Sequence, residues 1–461
     1  MKIGFLPLYV KLYDDCVPSV RPRMNDFYAT VAQMLRDKGA EVVESPFCRL
    51  ADEFKTAVKT FENEKVDAIV TLHIAYSPSL ESIDALTGTD LPIVILDTTP
   101  TLEFGNMQSP SEIMHCHGIH GVMDMCTMLT RRGKDYAIAA GHYEQSDVLD
   151  RTLGFVRAAI AAKAVNGAKV ARVGGPFAGM GDFVVPFEEM KTRFGIEAYD
   201  LDAEIVKKAV ADVTDEQIAA EKAVNADLFE FSDSVQDEEY EIAIRSCLAM
   251  RACVEQEKMT AFTATFMGMG EKACGLPSMP FIESCKAMER GIGYAGEGDT
   301  LTAAFTGALL QGYPETSFVE IFCPDWKNGQ VMLSHMGEMN YRIINNKPLL
   351  CRVGRNYIDS PIHPYAAYSR MKGGKGVYVN ICPVKDDFRM VICETEMKEY
   401  DTDNFPTSMR GWMRTGKTDC ATFLEKLSEN AATHHSIFVY GTTAAEMKFF
   451  AKLLNLECVE I

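Results

Sequence analysis

Apolar runs that alternate with helical patterns constrain this chain more than any other feature. KIGFLPLYV (2–10) is followed by the helical pattern DFYATVAQMLRDKGA (26–40) and then by EVVES. VDAIVTLHI (66–74), LPIVILDTT (91–99) and DYAIAAGHY (135–143) come next, with helical segments between most of them. A strand that is apolar along its whole length is covered on both faces, and parallel neighbours need a crossover helix. The pattern therefore predicts a parallel sheet wrapped by helices. A second start, AKVARVGGP (168–176), follows the helical stretch 148–165, and IEAYDLD (196–202) supplies another strand. After about residue 325 the texture changes: VMLSHM, PLLCRVG, GVYVNICPV and FRMVICETEM are divided by Gly-, Pro- and Asp-rich turns. KGGKG (372–376) reads as one such hairpin turn, and DSVQDEEYE (233–241) as a solvated helix face. The expected fold class is α/β: two doubly wound α/β domains, 1–165 and 166–325, then an antiparallel β-barrel-like domain over 326–461.

Composition narrows the function classes. The net charge of −19 argues against a nucleic-acid partner, because neutralising phosphates needs clustered Lys and Arg. The 47% apolar content allows real cores. None of the fourteen cysteines forms a C-x-x-C pair, and many sit inside apolar runs such as SCLAMRACV (246–254), which suits a reducing, cytoplasmic setting. MKIGFLPLYV reads as a first strand and not as a cleaved leader, and no uncharged apolar stretch reaches the length of a membrane span.

GIGYAGEGDT (291–300) contains the spacing G-x-G-x-x-G of a dinucleotide-binding turn. That motif works only after a strand. Here PFIESCKAMER (280–290) has helical spacing, so the glycines read as a turn and the match as coincidence. A turn alone leaves Glu297 unexplained. Further along stand Glu320 in TSFVE, His335 in LSHM and His435 in THHS. Two carboxylates and two imidazoles suit a divalent ion of the manganese class, although spacing alone does not show that they converge.

At GIGYAGEGDTLTAAF, TSFVE and LSHMGE the chain resembles the L-arabinose isomerase family, relatives of the L-fucose isomerases. The likeness extends to AFTATF (261–266) and to 120–145, and it thins at the N-terminus and over 200–245. The resemblance implies that Glu297, Glu320, His335 and His435 are metal ligands, with His434 in a supporting role. It implies Mn²⁺, with Co²⁺ or Mg²⁺ as alternatives. It also implies that Glu297 and Glu320 are the catalytic acid and base of an aldose–ketose isomerase working through a cis-enediol. His120 matches a histidine that reaches a neighbouring subunit's sugar site, so a homotrimer or homohexamer with shared active sites is expected.

The chain departs from the family where the first strand meets the substrate. In YVKLYDD (9–15), Leu12 and Tyr13 match, while Val10 and Lys11 replace a polar pair. Arg21 and Arg23 follow in SVRPRM. L-arabinose is the expected sugar, then L-fucose or D-galactose. The basic Lys11, Arg21 and Arg23 raise an anionic sugar such as sulfoquinovose as a further alternative. A non-catalytic sugar-binding protein is the rival from another class.

Overall fold

The computed structural model describes residues 1–270, 272–354 and 362–461. The chain forms two compact units, Met1–Ile160 and Ala161–Ile461. In the first, β1 (Lys2–Leu8), β2 (Glu41–Glu44), β3 (Ala68–His73), β4 (Ile93–Asp97) and β5 (Tyr136–Ala140) make a parallel sheet in the order β2-β1-β3-β4-β5. Every residue of β3 is buried, which is why its sequence is mostly apolar and does not alternate, with Thr71 and His73 as its buried polar members. Leu6, Ile69 and Ile95 of the sheet join a core with Phe54, Phe61, Ile83, Met125 and Leu129 from the flanking helices. The strand order reverses between β1 and β3, and in open parallel sheets ligands bind beyond the strand ends at such a point.

The second unit begins with β6 (Lys169–Val173), β7 (Glu197–Asp200), the short β8 (Glu230–Phe231), β9 (Ala261–Ala264) and β10 (Gly293–Gly296). A parallel sheet runs in the order β10-β9-β6-β7. The helix Phe281–Glu289 precedes the glycines, as its spacing predicts. The glycines themselves are more than a turn. Gly293–Gly296 is a fully buried strand, and the helix Thr300–Gly312 packs directly on it. A Cβ on Gly293 would lie 2.2 Å from the Ala303 carbonyl and 2.3 Å from the Gly307 nitrogen. Glycine is therefore required there by close approach of two backbones.

The rest is mostly β: β11 (Thr316–Asp325), β12 (Gln330–His335), β13 (Leu349–Arg352), β14 (Tyr365–Tyr368), β15 (Gly374–Val384), β16 (Asp387–Lys398), β17 (Met409–Thr415), β18 (His435–Tyr440) and β19 (Glu457–Glu460). Six of these close into an antiparallel barrel in the order β15-β18-β11-β12-β17-β16, with β16 returning to β15. The expected barrel-like region is thus a closed barrel, which leaves its six strands without a free sheet edge between them. β16 divides its outer edge, pairing with β17 over Thr395–Lys398 and with β19, in parallel, over Arg389–Ile392. KGGKG is not a hairpin turn: Gly374 already pairs with Met397, and the β15–β16 hairpin turns beyond Val384 and Asp387. The run 233–241 does enter a helix, Asp237–Glu257, although its Glu239 is tied to Arg352 at 2.7 Å. All fourteen cysteines are free, and most are buried. Among the described residues no helix is long and apolar enough to cross a membrane.

Candidate metal and active site

One end of the barrel and the turn after β10 meet at the candidate site. Glu320 on β11 lies opposite Ser334 on one side and His435 on the other. His335 follows Ser334 at the end of β12, and His435 begins β18. Pairing register sets Glu320 beside His435, and His335, one residue beyond Ser334 at the strand end, reaches the same rim. Glu297 arrives from β10. Its φ of 61° is in the left-handed region, where a non-glycine residue costs on the order of 1–2 kcal/mol. The Glu297 amide donates to the Ala264 carbonyl at 3.0 Å, and its carbonyl accepts from the Phe177 amide at 2.8 Å. These bonds hold the strained residue, and its carboxylate faces the histidines. Gly296 clears the way: a Cβ there would sit 2.5 Å from Cε1 of His335.

The structure brings the four sequence-predicted ligands together. His335 Nε2 is 3.6 Å from Glu320 Oε2, and His435 Nε2 is 3.7 Å from Glu297 Oε2. Glu320, His335 and His435 offer donor atoms all within 4.8 Å of one another, and so do Glu297, His434 and His435. Glu297 Oε2 and His435 Nε2 are buried with no hydrogen-bond partner among the described residues. A buried carboxylate oxygen and a buried imidazole nitrogen are costly to leave unpaired. A divalent ion of nitrogen and oxygen preference fits both.

Carboxylates back the histidines. His335 Nδ1 is 2.6 Å from Glu338 Oε2, and Glu338 is itself held by the Tyr294 hydroxyl and the Gly337 amide, each at 2.8 Å. His435 Nδ1 is 3.0 Å from Asp299 Oδ2, while Asp299 Oδ1 caps the helix Thr300–Gly312 by accepting from the Thr302 amide. His434 Nδ1 is 2.7 Å from Asp182 Oδ2. The carboxylates accept, so each Nδ1 carries the proton and each Nε2 is turned towards the glutamates. Phe318 lies edge-on to the rings of His335 and His435, and Phe183 stacks on His435 at 4.8 Å.

The electrostatics ask for a cation. Burial works against the charged form of His335, but Glu338 outweighs it and lifts the imidazole to about 9. Burial likewise opposes charge on His434, yet Asp182 and Glu297 raise it to about 10. The two glutamates are pushed in opposite directions. Glu320 sits above the ordinary carboxylate value because its burial outweighs the facing histidines. Burial also raises Glu297, but the neighbouring imidazoles, His434 first, bring it below that value. A metal bound between these imidazoles and carboxylates would compete with protons, so binding one would release them.

The predicted substrate residues lie in the first unit and form their own cluster. The Tyr13 hydroxyl is 2.9 Å from His117 Nε2, and His117 Nδ1 is 2.5 Å from the Ile113 carbonyl. His120 is exposed, with its ring against Tyr76 and His117, and Leu12 is 59% exposed. The basic residues already have partners. Lys11 pairs with Asp15 at 2.6 Å and Arg23 with Glu112 at 2.7 Å. Arg21 is ion-paired with Asp14 and lies over the rings of Tyr9 and Phe47.

Sequence reasoning did not assign Asp299, Glu338, Asp182 or His117 to the site. The first two stand inside the quoted stretches AGEGD and HMGE, so their signal was adjacency to a ligand. Asp182 is 252 residues from its histidine and gives no local signal.

Comparison with known proteins agrees with the geometry. The L-arabinose isomerase central domain family matches residues 186–311, and the L-arabinose isomerase C-terminal domain family matches residues 315–457, together more than half of the chain. An L-arabinose isomerase of Mannheimia succiniciproducens is 26% identical over 87% of this chain and 82% of its own length. One from Flavobacterium johnsoniae is 25% identical over 91% of this chain and 84% of its own. Among solved structures, a periplasmic solute-binding protein of Actinobacillus succinogenes with bound D-allose covers 68% of this chain and 91% of its own at 14% identity, but its TM-score of 0.18 carries no argument. With both family domains matched over more than half of its length, the chain belongs to the L-arabinose isomerase family.

Proposed function

We propose that this protein interconverts an aldose and its ketose, with L-arabinose and L-ribulose as the pair. The observation that carries the reading is the cluster of Glu297, Glu320, His335 and His435, with Glu297 Oε2 and His435 Nε2 buried and unpartnered. These residues would hold a divalent ion of the manganese class. Such an ion, when bound, polarises the sugar carbonyl as a Lewis acid.

The glutamates do the proton work. One takes the proton from C2 of the open-chain sugar. The electrons of that bond make the C1–C2 double bond of a cis-enediol as the carbonyl oxygen takes a proton. The other glutamate carries the hydroxyl proton away from the C2 oxygen, and protonation of C1 leaves the ketone at C2. Opposite shifts on two neighbouring carboxyl groups suit this exchange, since one readily accepts a proton while the other holds one.

A neutral sugar is favoured because Lys11, Arg21 and Arg23 are already matched by carboxylates. Leu12, Tyr13 and His120 would touch the sugar. His120 would do so in a partner's site, within a cytoplasmic homotrimer or homohexamer of three-domain chains divided near residues 165 and 325. The test is ketose formation from a panel of L-arabinose, L-fucose, D-galactose and sulfoquinovose with Mn²⁺. L-arabinose is expected to give the highest kcat/KM. Preference for sulfoquinovose would overturn the neutral-sugar assignment, and turnover of none would overturn the isomerase reading.

A further inference from the structure

We infer that His434 is a third nitrogen donor of the metal centre and that Asp182 is the residue that positions it. This rests on the reading that the cluster holds a divalent ion, but it goes beyond the four ligands that the family resemblance supplies. The structure gives His434 the same construction as His335 and His435. Each has Nδ1 on a carboxylate, Glu338, Asp299 or Asp182 in turn, and each directs Nε2 at Glu297 or Glu320. A carboxylate on the far nitrogen is what a metal-ligating histidine ordinarily has, because it fixes the tautomer and strengthens the donor.

The distances are even-handed. Glu297 Oε2 is 3.7 Å from His434 Nε2 and 3.7 Å from His435 Nε2. All three donor atoms fall within 4.8 Å of one another. Bonds of about 2.0–2.6 Å around one ion place neighbouring donors roughly 3–5 Å apart. A histidine serving only to support the strand would not need its second nitrogen there.

Asp182 fixes the ring twice over. Its Oδ2 accepts from the His434 backbone amide at 2.9 Å and faces Nδ1 at 2.7 Å. One oxygen thus sets both the main chain and the imidazole. The next residue, Phe183, stacks on His435 and borders His434 at 5.5 Å. The segment carrying them is tied to Glu297 through the Phe177 amide. One loop therefore holds the glutamate and both histidines in a common arrangement.

The experiment is a Mn²⁺ titration of the full-length protein by calorimetry, with nitrogen couplings counted on the bound ion by pulsed electron paramagnetic resonance. Wild type, Asp182→Asn, Asp182→Glu and His434→Gln are compared. The expected results are three histidine couplings in wild type and two in His434→Gln. Mn²⁺ affinity should fall about 10- to 100-fold in Asp182→Asn and recover in part in Asp182→Glu. Wild-type couplings and affinity in His434→Gln and Asp182→Asn would overturn this inference and leave the four-ligand centre standing. A wild-type protein that binds no divalent ion would overturn both.

Discussion

Two histidine clusters sit in this chain, and they are built differently. In the second unit, His335, His434 and His435 each rest Nδ1 on a carboxylate and are flanked by Phe318 or Phe183. In the first unit, His117 rests Nδ1 on a backbone carbonyl and turns Nε2 to the Tyr13 hydroxyl, and His120 is exposed. Carboxylate backing adds negative charge and makes a nitrogen that prefers a cation. Backing by a neutral carbonyl adds no such charge and suits hydrogen bonding with a neutral hydroxyl. The difference lies in charge: carboxylates back the histidines of the second unit, and a neutral carbonyl backs His117.

The largest effect should come from the glutamates. Glu320→Gln and Glu297→Gln keep the shape and remove the exchangeable proton site, so kcat for ketose formation should fall about 10²- to 10⁴-fold in steady-state assays. A loss of less than tenfold in both would move the proton chemistry elsewhere. Next comes the backing of the histidines. Asp299→Asn and Glu338→Gln should weaken Mn²⁺ binding about 10- to 100-fold by calorimetry. His117→Ala should leave Mn²⁺ affinity unchanged and raise KM for the sugar. Equal metal loss in all three would erase the distinction between the clusters.

Gly296→Ala should also act on the buried cluster alone. The added methyl would meet the His335 ring, and overpacking of this kind costs about 1–3 kcal/mol. Thermal melting should show that loss alongside reduced metal occupancy.

Acid should separate buried from exposed carboxylates. Burial opposes the charge of Glu221, but bonds from Arg251 and Lys286 hold its carboxyl at about 2 against an ordinary 4.5. A lowered folded-state value means that the stabilisation is present above about pH 4.5 and is lost as pH falls towards 2. The melting temperature of wild type should therefore exceed that of Glu221→Gln at pH 6, with the gap closing on acidification. A gap that stays constant would show that the charge is not what stabilises the network. The smallest effects belong to the exposed pairs: Lys11→Ala and Arg23→Ala should change kcat/KM on L-arabinose by no more than about threefold.

The parts of the fold that depend on local pattern were legible in the sequence. Strands without polar alternation such as Ala68–His73 announce a sheet covered on both faces, and the spacing of Phe281, Ile282, Cys285 and Met288 announces their helix. Gly293–Gly296 was not legible as a strand, because glycine has no strand preference of its own. Its place is set by the helix backbone on one side and the His335 ring on the other. Closure of the barrel was hidden as well, since β16 divides its edge between β17 and the distant β19. At the site, Asp299 and Glu338 stand inside recognisable stretches beside the expected ligands, while Asp182 depends on a contact that forms only when the chain is folded.

The central claim is that Glu297, Glu320, His335 and His435 form a metal-dependent isomerase site. It is tested most directly by following L-ribulose formation from L-arabinose with protein that is untreated, stripped by a chelator and then reloaded with Mn²⁺. Turnover that disappears on stripping, returns on reloading and fails to return in Glu320→Gln is the predicted result. Turnover that survives full removal of the metal, or that returns equally in Glu320→Gln, would contradict it.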